Sequence, residues 1–471
     1  MEGSCNPARV VGQCKVSPPP GSVPTTSLPL TFFDIVFLFC GPVEFVYFYE
    51  FPHPLHHITQ TILPKLRHSL SLTLQHFFPL ASNLICPPPP SKPFLHYSET
   101  DRTSLLLTIA ESSSNFNRLT SHRVNNVAQS HFLVPPLPPA RVLEDGTRVV
   151  TPVALQLTVF PNSGICIGIN FLHALTDGSS LHHFMKSWAS VCLSQGVKAL
   201  TSTPPSHNRG LIKDPCGLEN KFLAAWRSWT PIPWELHMNP FHPSLTEKVR
   251  TTFVLSRPKI DRLKQWVSSL FSAVHGSKPP HMSSFVVICA LTWVCLVKAE
   301  EINDDEMQCY FNYSADSRNR LEYPLPSSYF GNCLSIRSTR VKKSELVKEN
   351  GLIVAVDAIG KNVKDLESGV LRAAEEWTSD WDKGTNSPPM HLTLLAGSPR
   401  LDFYNDIDFG WGRPKKSEVI NVDFDFPKFI YLGNSREEEG GFEIVLAFEK
   451  EKMKSFNSIF EQALKLPESH L

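Results

Sequence analysis

The sequence predicts a mixed α/β (α+β) chain whose two similar-sized halves meet at a cleft. Three observations carry that expectation. Apolar runs at strand period and at helix period occur in both halves. One long stretch, Gly196 to Asn220, has little periodicity and separates them. The chain has 471 residues, 42% hydrophobic and 19% charged, enough for two cores of ordinary size. The expected units are an N-terminal domain over 1–195, a crossover loop over 196–220 and a C-terminal domain over 221–471.

The elements follow in order. Leu66, Leu70, Leu74 and Phe77 fall at helical spacing, which predicts a helix over Leu66 to Phe78. Leu95 to Ile109 reads as extended pieces around a polar turn. Val153 to Phe160 alternates, Pro161-Asn162-Ser163-Gly164 follows, and Ile165, Ile167, Ile169 and Phe171 then share one face. That pattern predicts a hairpin with a four-residue turn. Leu181, Phe184, Met185, Trp188 and Cys192 resume helical spacing, with the helix starting near Gly178. In the second half, Val249 to Leu255 reads as a strand, and Ser256 should cap a helix carrying Ile260, Leu263 and Val267. Ser283 to Lys298 is almost wholly apolar and reads as a buried helix. Gln308 to Tyr313 is strand-like. Lys428 to Leu432 and Gly441 to Phe448 frame an acidic turn, and Met453, Phe456, Phe460 and Leu464 mark a last helix.

Composition excludes several function classes. Lys plus Arg and Asp plus Glu number 45 each, so a nucleic-acid or polyanion surface is not expected. The 11 cysteines form no CxxC pair and no zinc ladder, which fits free thiols in a reducing cytosol. Met1 to Ser22 lacks an apolar signal core, and Leu30 to Phe51 is interrupted by Asp34, Gly41-Pro42 and Glu44. A cytosolic protein without a membrane span is expected. The proline clusters, such as Pro87 to Pro90, read as loop stiffeners.

Chemistry concentrates at His173-Ala174-Leu175-Thr176-Asp177-Gly178, where the hairpin's second strand gives way to a helix. A histidine held at such a loop can take and return a proton near neutral pH. Asp177 has two readings. It could orient the imidazole, or it could turn away and fix the loop through a cationic partner. Gly178 would permit a sharp turn. Covalent catalysis lacks support: no GxSxG elbow occurs, and nothing near Cys166 would activate it. His53, His56-His57 and His182-His183 lack a matching ligand set, so no metal is expected. Asp408-Phe409-Gly410-Trp411-Gly412 reads as a tight turn that packs an aromatic plug.

Taken together, these segments resemble the plant BAHD acyltransferases, which transfer acyl groups from coenzyme A thioesters. The family's HxxxD-G motif is matched by His173, Asp177 and Gly178, and its DFGWG motif by Asp408, Phe409, Gly410, Trp411 and Gly412. Family-like segments run along nearly the whole chain: Leu30-Thr31-Phe32-Phe33-Asp34, His76 to Ala81, Ile212-Lys213-Asp214-Pro215 and Asp316 to Arg320. Tyr329-Phe330-Gly331-Asn332-Cys333 is similar to the signature of the flavonoid and anthocyanin branch, which acylates sugar hydroxyls of phenolic glycosides.

The resemblance implies a chloramphenicol acetyltransferase-like fold, with two domains joined by a long crossover loop around a solvent channel. It implies that His173 acts as general base in a direct transfer, with no acyl-enzyme. Asp177 and Gly178 would be structural, and Asp408 to Gly412 would support the fold or donor binding away from the chemistry. The Asp-x-Arg segment makes Arg318 the expected partner of Asp177. The partners implied are an acyl-CoA donor and a phenolic or flavonoid glycoside acceptor. No resident cofactor is expected, and a monomer suffices. Malonyl-using relatives commonly carry Lys or Arg just after HxxxD-G. Here Ser179, Ser180 and Leu181 follow, and no Lys or Arg occurs before Lys186. That departure favours a hydroxycinnamoyl donor such as coumaroyl-CoA over malonyl-CoA. A phenolic-binding protein without turnover and a thioesterase are the readings from other classes.

Overall fold

The computed structural model describes residues 8–101, 103–122, 124–194, 203–228, 247–279, 281–378, 390–423 and 428–469. Its strands in the first half are β1 (Ala8–Val16), β2 (Thr26–Pro29), β3 (Pro42–Glu50), β4 (Asn83–Cys86), β5 (Phe94–Tyr97), β6 (Leu105–Ser112), β7 (Asn125–Asn126), β8 (Arg141–Val142), β9 (Arg148–Val150), β10 (Val153–Phe160) and β11 (Gly164–Leu172). Those of the second half are β12 (Lys248–Leu255), β13 (Gln308–Asp316), β14 (Leu334–Lys342), β15 (Met390–Ala396), β16 (Lys416–Val419), β17 (Lys428–Asn434) and β18 (Phe442–Glu449).

They form three mixed or antiparallel sheets, ordered β1-β6-β10-β11-β3-β16, β14-β13-β15-β17-β18-β12-β7 and β2-β5-β4-β9-β8. The two large sheets exchange strands. β16, from late in the chain, pairs with β3 through Lys416 and Phe48, and β7, from early in it, pairs with β12 through Asn126 and Val249.

The β10–β11 hairpin is present, with Phe160 opposite Gly164. Its turn is three residues, not four, because Gly164 already pairs and Asn162 takes φ +60°. Alternation suggested one buried face, yet every residue of both strands is buried. One face carries Leu155, Leu157, Ile165 and Ile167 into the main core, whereas Phe160 and Cys166 pack under Phe116 and Leu133. That second layer lies so close that a Cβ on Gly168 would stand 2.0 Å from the Leu133 carbonyl oxygen.

The helix predicted over Leu66 to Phe78 runs from Leu63 to Leu74. A separate 3₁₀ turn, Phe78–Ala81, follows with Pro79 inside it, where proline cannot extend the preceding α-helix. Ser256 stands at the start of the helix Arg257–His275 with extended backbone, but its hydroxyl makes no cap hydrogen bond. The proline next to it, Pro258, already removes one of the donors a cap would serve. The helix Ser284–Ala299 is buried nearly all round, as its composition predicts, and Ser283 does cap it by accepting from Val286 N–H. Among the described residues no helix is long and apolar enough to cross a membrane.

Where the sheets exchange strands, a buried ionic cluster fills the junction. Arg250 on β12 donates to Glu418 on β16 at 2.9 Å and grips both oxygens of Asp423. His131 meets Asp423 at 3.0 Å, and Lys416 meets Glu418 at 2.8 Å. Burial pushes the Asp423 and Glu418 carboxyls up, but Arg250 with His131 at Asp423, and Lys416 with Arg250 at Glu418, outweigh it and leave both below the ordinary carboxylate value. The cluster thus ties the two large sheets together, on the condition that every member stays in place.

Of the stretch expected to be a crossover loop, 203–220 are described and 196–202 lie outside the described residues. Ser206 bridges Tyr329 in parallel fashion. Arg209, itself buried, donates to the Tyr329 hydroxyl at 2.8 Å and the Phe330 carbonyl at 2.9 Å. The segment is therefore pinned to the Tyr329–Cys333 stretch, which forms part of the site.

Candidate active site

β11 ends at Leu172 and delivers His173 onto a one-turn 3₁₀ helix, His173–Leu175, before the helix Gly178–Ser194 begins. Asp177 occupies the position just ahead of that helix, and its Oδ1 accepts from Ser180 N–H at 2.9 Å, satisfying one of the helix's orphan donors. Asp177 is fully buried, and its remaining bonds close the site. Oδ2 accepts from Cys333 N–H at 3.0 Å, while Arg318 lays both terminal nitrogens across the two oxygens, at 2.9 and 3.0 Å. A planar fork against a carboxylate is the strong form of such a contact. None of these bonds goes to the His173 ring, so of the two readings of Asp177 the geometry is that of a strut.

Arg318 is buried too. It also donates to Ser180 Oγ at 3.1 Å and to the carbonyls of Tyr329 and Gly331, at 3.2 and 3.1 Å. One guanidinium therefore fastens the start of the helix to the Tyr329–Cys333 stretch. Gly331 has φ +145°, and a Cβ there would stand 1.8 Å from an Arg209 nitrogen, so only glycine fits. Gly178 differs from its expected role. Its backbone is ordinary helix, not a left-handed turn, and what a side chain would meet is Leu401, 3.2 Å from an added Cβ.

Two further residues grip the His173 turn. Asn332, fully buried, donates Nδ2 to the His173 carbonyl at 2.9 Å and to Asp34 Oδ1 at 3.0 Å. Asp34 also accepts from Asn332 N–H, and its other oxygen accepts from Thr31 N–H and Oγ1. Phe37, three residues on, stacks on the imidazole with centroids 3.9 Å apart and planes 16° from parallel. The sequence marked Leu30 to Asp34 and Tyr329 to Cys333 as family-like without giving them a task. They converge on the histidine although Asp34 and Asn332 are separated by 298 residues.

His173 Nδ1 is buried and has no partner in hydrogen-bond geometry among the described residues. Burial is the largest influence on the ring and pulls its pKa below the ordinary histidine value. Its own carbonyl, Asp177, Asn332 and Asp34 work against that effect without cancelling it. A neutral imidazole is the form required of a proton acceptor.

The polar side chains downstream are occupied. His182 Nε2 and Lys186 Nζ both face Asp406, at 3.2 and 2.7 Å, and Ser179 Oγ donates to Asp316. Cys166 is buried in the sheet, and burial pushes its thiol far above the ordinary range, which makes a thiolate inaccessible. The His53 and His57 rings meet at a tilt beside Phe51. Among the described residues no group of three His, Cys, Asp or Glu side chains is arranged to hold a metal ion.

Asp408 to Gly412 forms a tight loop around one carboxylate oxygen. Asp408 Oδ1 accepts from the N–H groups of Gly410, Trp411 and Gly412 at 2.7, 3.1 and 2.9 Å. Gly410 and Gly412 supply φ values of +95° and +84°. Phe409 meets Trp188 edge-on at 4.9 Å, and Trp411 meets Tyr49 at 5.4 Å. Trp188 lies about 15 Å along its helix from Gly178. The loop thus buttresses the far end of the helix that starts at the histidine motif.

Comparison with known proteins bears on the family and the fold. The profile of the Transferase family matches residues 15–463. The chain is 37% identical over 482 residues to coumaroyl-CoA:anthocyanidin 3-O-glucoside-6''-O-coumaroyltransferase 1 of Arabidopsis thaliana, covering 99% of both chains. It is 35% identical to malonyl-coenzyme A:anthocyanin 3-O-glucoside-6''-O-malonyltransferase of Dahlia pinnata, covering 97% of both. Among solved structures, vinorine synthase has a similar fold, with TM-score 0.65 at 19% identity over 95% of this chain and 96% of that one. TRI101 of F. graminearum complexed with coenzyme A and T-2 mycotoxin gives TM-score 0.66 at 12% identity, over 92% and 97%. The chain belongs to the Transferase family, the BAHD acyltransferases.

Proposed function

We propose that this protein moves an acyl group from an acyl-CoA thioester to a hydroxyl of a phenolic, flavonoid or anthocyanin, glycoside. The carrying observation is the His173 turn. A neutral, partly buried imidazole is held by its backbone, while the nearby carboxylate is fully engaged by Arg318. In this mechanism His173 takes the proton from the acceptor hydroxyl as its oxygen attacks the thioester carbonyl. The tetrahedral oxyanion then collapses, the carbon–sulfur bond breaks, and His173 gives the proton to the departing coenzyme A thiolate. Holding both substrates together supplies much of the rate through proximity. The reading needs coenzyme A thioester as co-substrate and no resident cofactor or metal. It places a monomer in the cytosol.

For the donor we favour hydroxycinnamoyl-CoA, with coumaroyl-CoA as the representative. A malonyl carboxylate calls for a free, fixed cation. The first cationic side chain after the motif, Lys186, is paired with Asp406, and His182 faces the same carboxylate. The coumaroyltransferase relative supports this choice. The malonyltransferase relative, of nearly equal identity, supports malonyl-CoA as the second reading. The purified protein, given each CoA thioester with a flavonoid glucoside, tests both. Coumaroylated glucoside is the expected product. Malonylated glucoside alone replaces the donor assignment, free acid alone makes the protein a hydrolase, and untouched thioester makes it a binder.

A further inference from the structure

Phe37 is buried on the 3₁₀ turn Val36–Phe39, which follows directly on the short helix Phe32–Ile35 that carries Asp34. Its ring covers one face of the His173 imidazole in a near-parallel stack at 3.9 Å. The stack joins two separate turns, and one brace holds both. Asp34 closes its own turn through Thr31 and accepts the Asn332 amide, which also donates to the His173 carbonyl. Phe37 and His173 therefore keep their relation through backbone anchors, independently of whatever substrate is present.

The chemistry of transfer puts a positive charge on that imidazole for part of the cycle. The O–H bond of the acceptor breaks, an N–H bond forms on the ring, and the oxygen's electron pair goes to the thioester carbon. The charge lasts until the leaving sulfur takes the proton. An aromatic face carries negative quadrupole and favours a cation stacked on it within about 6 Å. The charged groups that act on the ring are Asp177 from its own turn and Asp34 from the facing one. Asp177 is engaged by Arg318, and Asp34 by Thr31 and Asn332. Phe37 is the group lying flat against the ring itself.

We propose that Phe37 is a positioning residue for the transfer reaction. Its ring fixes the His173 imidazole in one orientation, and its face stabilises the imidazolium that forms as the acceptor proton moves. The proposal rests on the general-base reading above.

The test compares Phe37→Leu, Phe37→Tyr and replacement of Phe37 by pentafluorophenylalanine, each with kcat, donor KM and the pH profile, beside His173→Ala. Phe37→Leu should lower kcat about 3- to 30-fold with donor KM unchanged. Its acid limb should move to lower pH, because the protonated ring loses its aromatic face. Phe37→Tyr should restore both. The fluorinated ring keeps the shape and reverses the quadrupole, so it should shift the limb as Leu does. It also decides the matter if Phe37→Leu fails to fold by circular dichroism. Wild-type kcat and acid limb in the fluorinated protein, or a limb moving to higher pH, overturn the proposal. If His173→Ala itself keeps turnover, the general-base reading has failed. If His173→Ala is inactive while the Phe37 variants behave as wild type, only the role of Phe37 has failed.

Discussion

Arg318→Ala removes a buried cation from a site where every partner was placed to meet it. The guanidinium spans both oxygens of Asp177 and caps the carbonyls of Tyr329 and Gly331. Without it, Asp177 keeps the N–H groups of Ser180 and Cys333 but becomes a fully buried carboxylate that has lost its contacting counter-charge, with Arg209 as a remaining nearby cation. Breaking one side of such a pair costs about 3–5 kcal/mol. The two stranded carbonyls push the figure toward the upper end, since each lost buried bond costs on the order of 1–3 kcal/mol and neighbouring losses overlap. A domain is stable by only about 5–15 kcal/mol, so the variant should be visibly weakened. Urea unfolding followed by tryptophan fluorescence, with Asp177→Ala and the double variant alongside, measures it. Each single change should cost about 3–5 kcal/mol, and the double should cost clearly less than their sum, because the stranding of one buried charge by loss of the other is removed when both are gone. A loss under about 0.5 kcal/mol for Arg318→Ala, or strict additivity, refutes the strut.

Three further outcomes follow from the same geometry. Burial holds the His173 pKa below 6.5, and the base must be neutral, so kcat/KM should fall only as pH drops through a value below 6.5; an acid inflection above 6.5 contradicts this. Asp408→Ala strips three N–H groups of their shared acceptor and should cost about 1–3 kcal/mol in thermal or urea unfolding. Donor KM is a useful second readout there, since the plug buttresses the motif helix at its far end. Asp423 and Glu418 lie below their ordinary values, so the unfolded chain binds more protons than the fold as acidity rises. Their contribution is present above the unfolded carboxylate range and is lost as pH falls through the folded values. Urea midpoints measured downward from pH 6 should decline across that window, and Arg250→Met should blunt the decline.

Local pattern made much of the fold readable. The β10–β11 hairpin, the buried helix Ser284–Ala299 and the helix after His173 each follow from apolar spacing within a short window. Arg318 could be named for Asp177 only through the family-like Asp-x-Arg segment, because spacing alone does not say which distant cation meets which carboxylate. The Asp34–Asn332 brace and the Phe37 stack were not legible for that reason. Nor was the placing of β16 beside β3, or of Arg250 against Asp423, since a strand carries no local mark of its partner. Gly178 shows another limit. A glycine after a motif suggests a turn, whereas here the constraint is the approach of Leu401.

The claim on which the account turns is that His173 carries the proton. Steady-state turnover of His173→Ala with coumaroyl-CoA and a flavonoid glucoside, on protein whose circular dichroism matches the wild type, tests it most directly. The account predicts a loss of about 10²–10⁴ in kcat with the fold retained. An unchanged rate contradicts it.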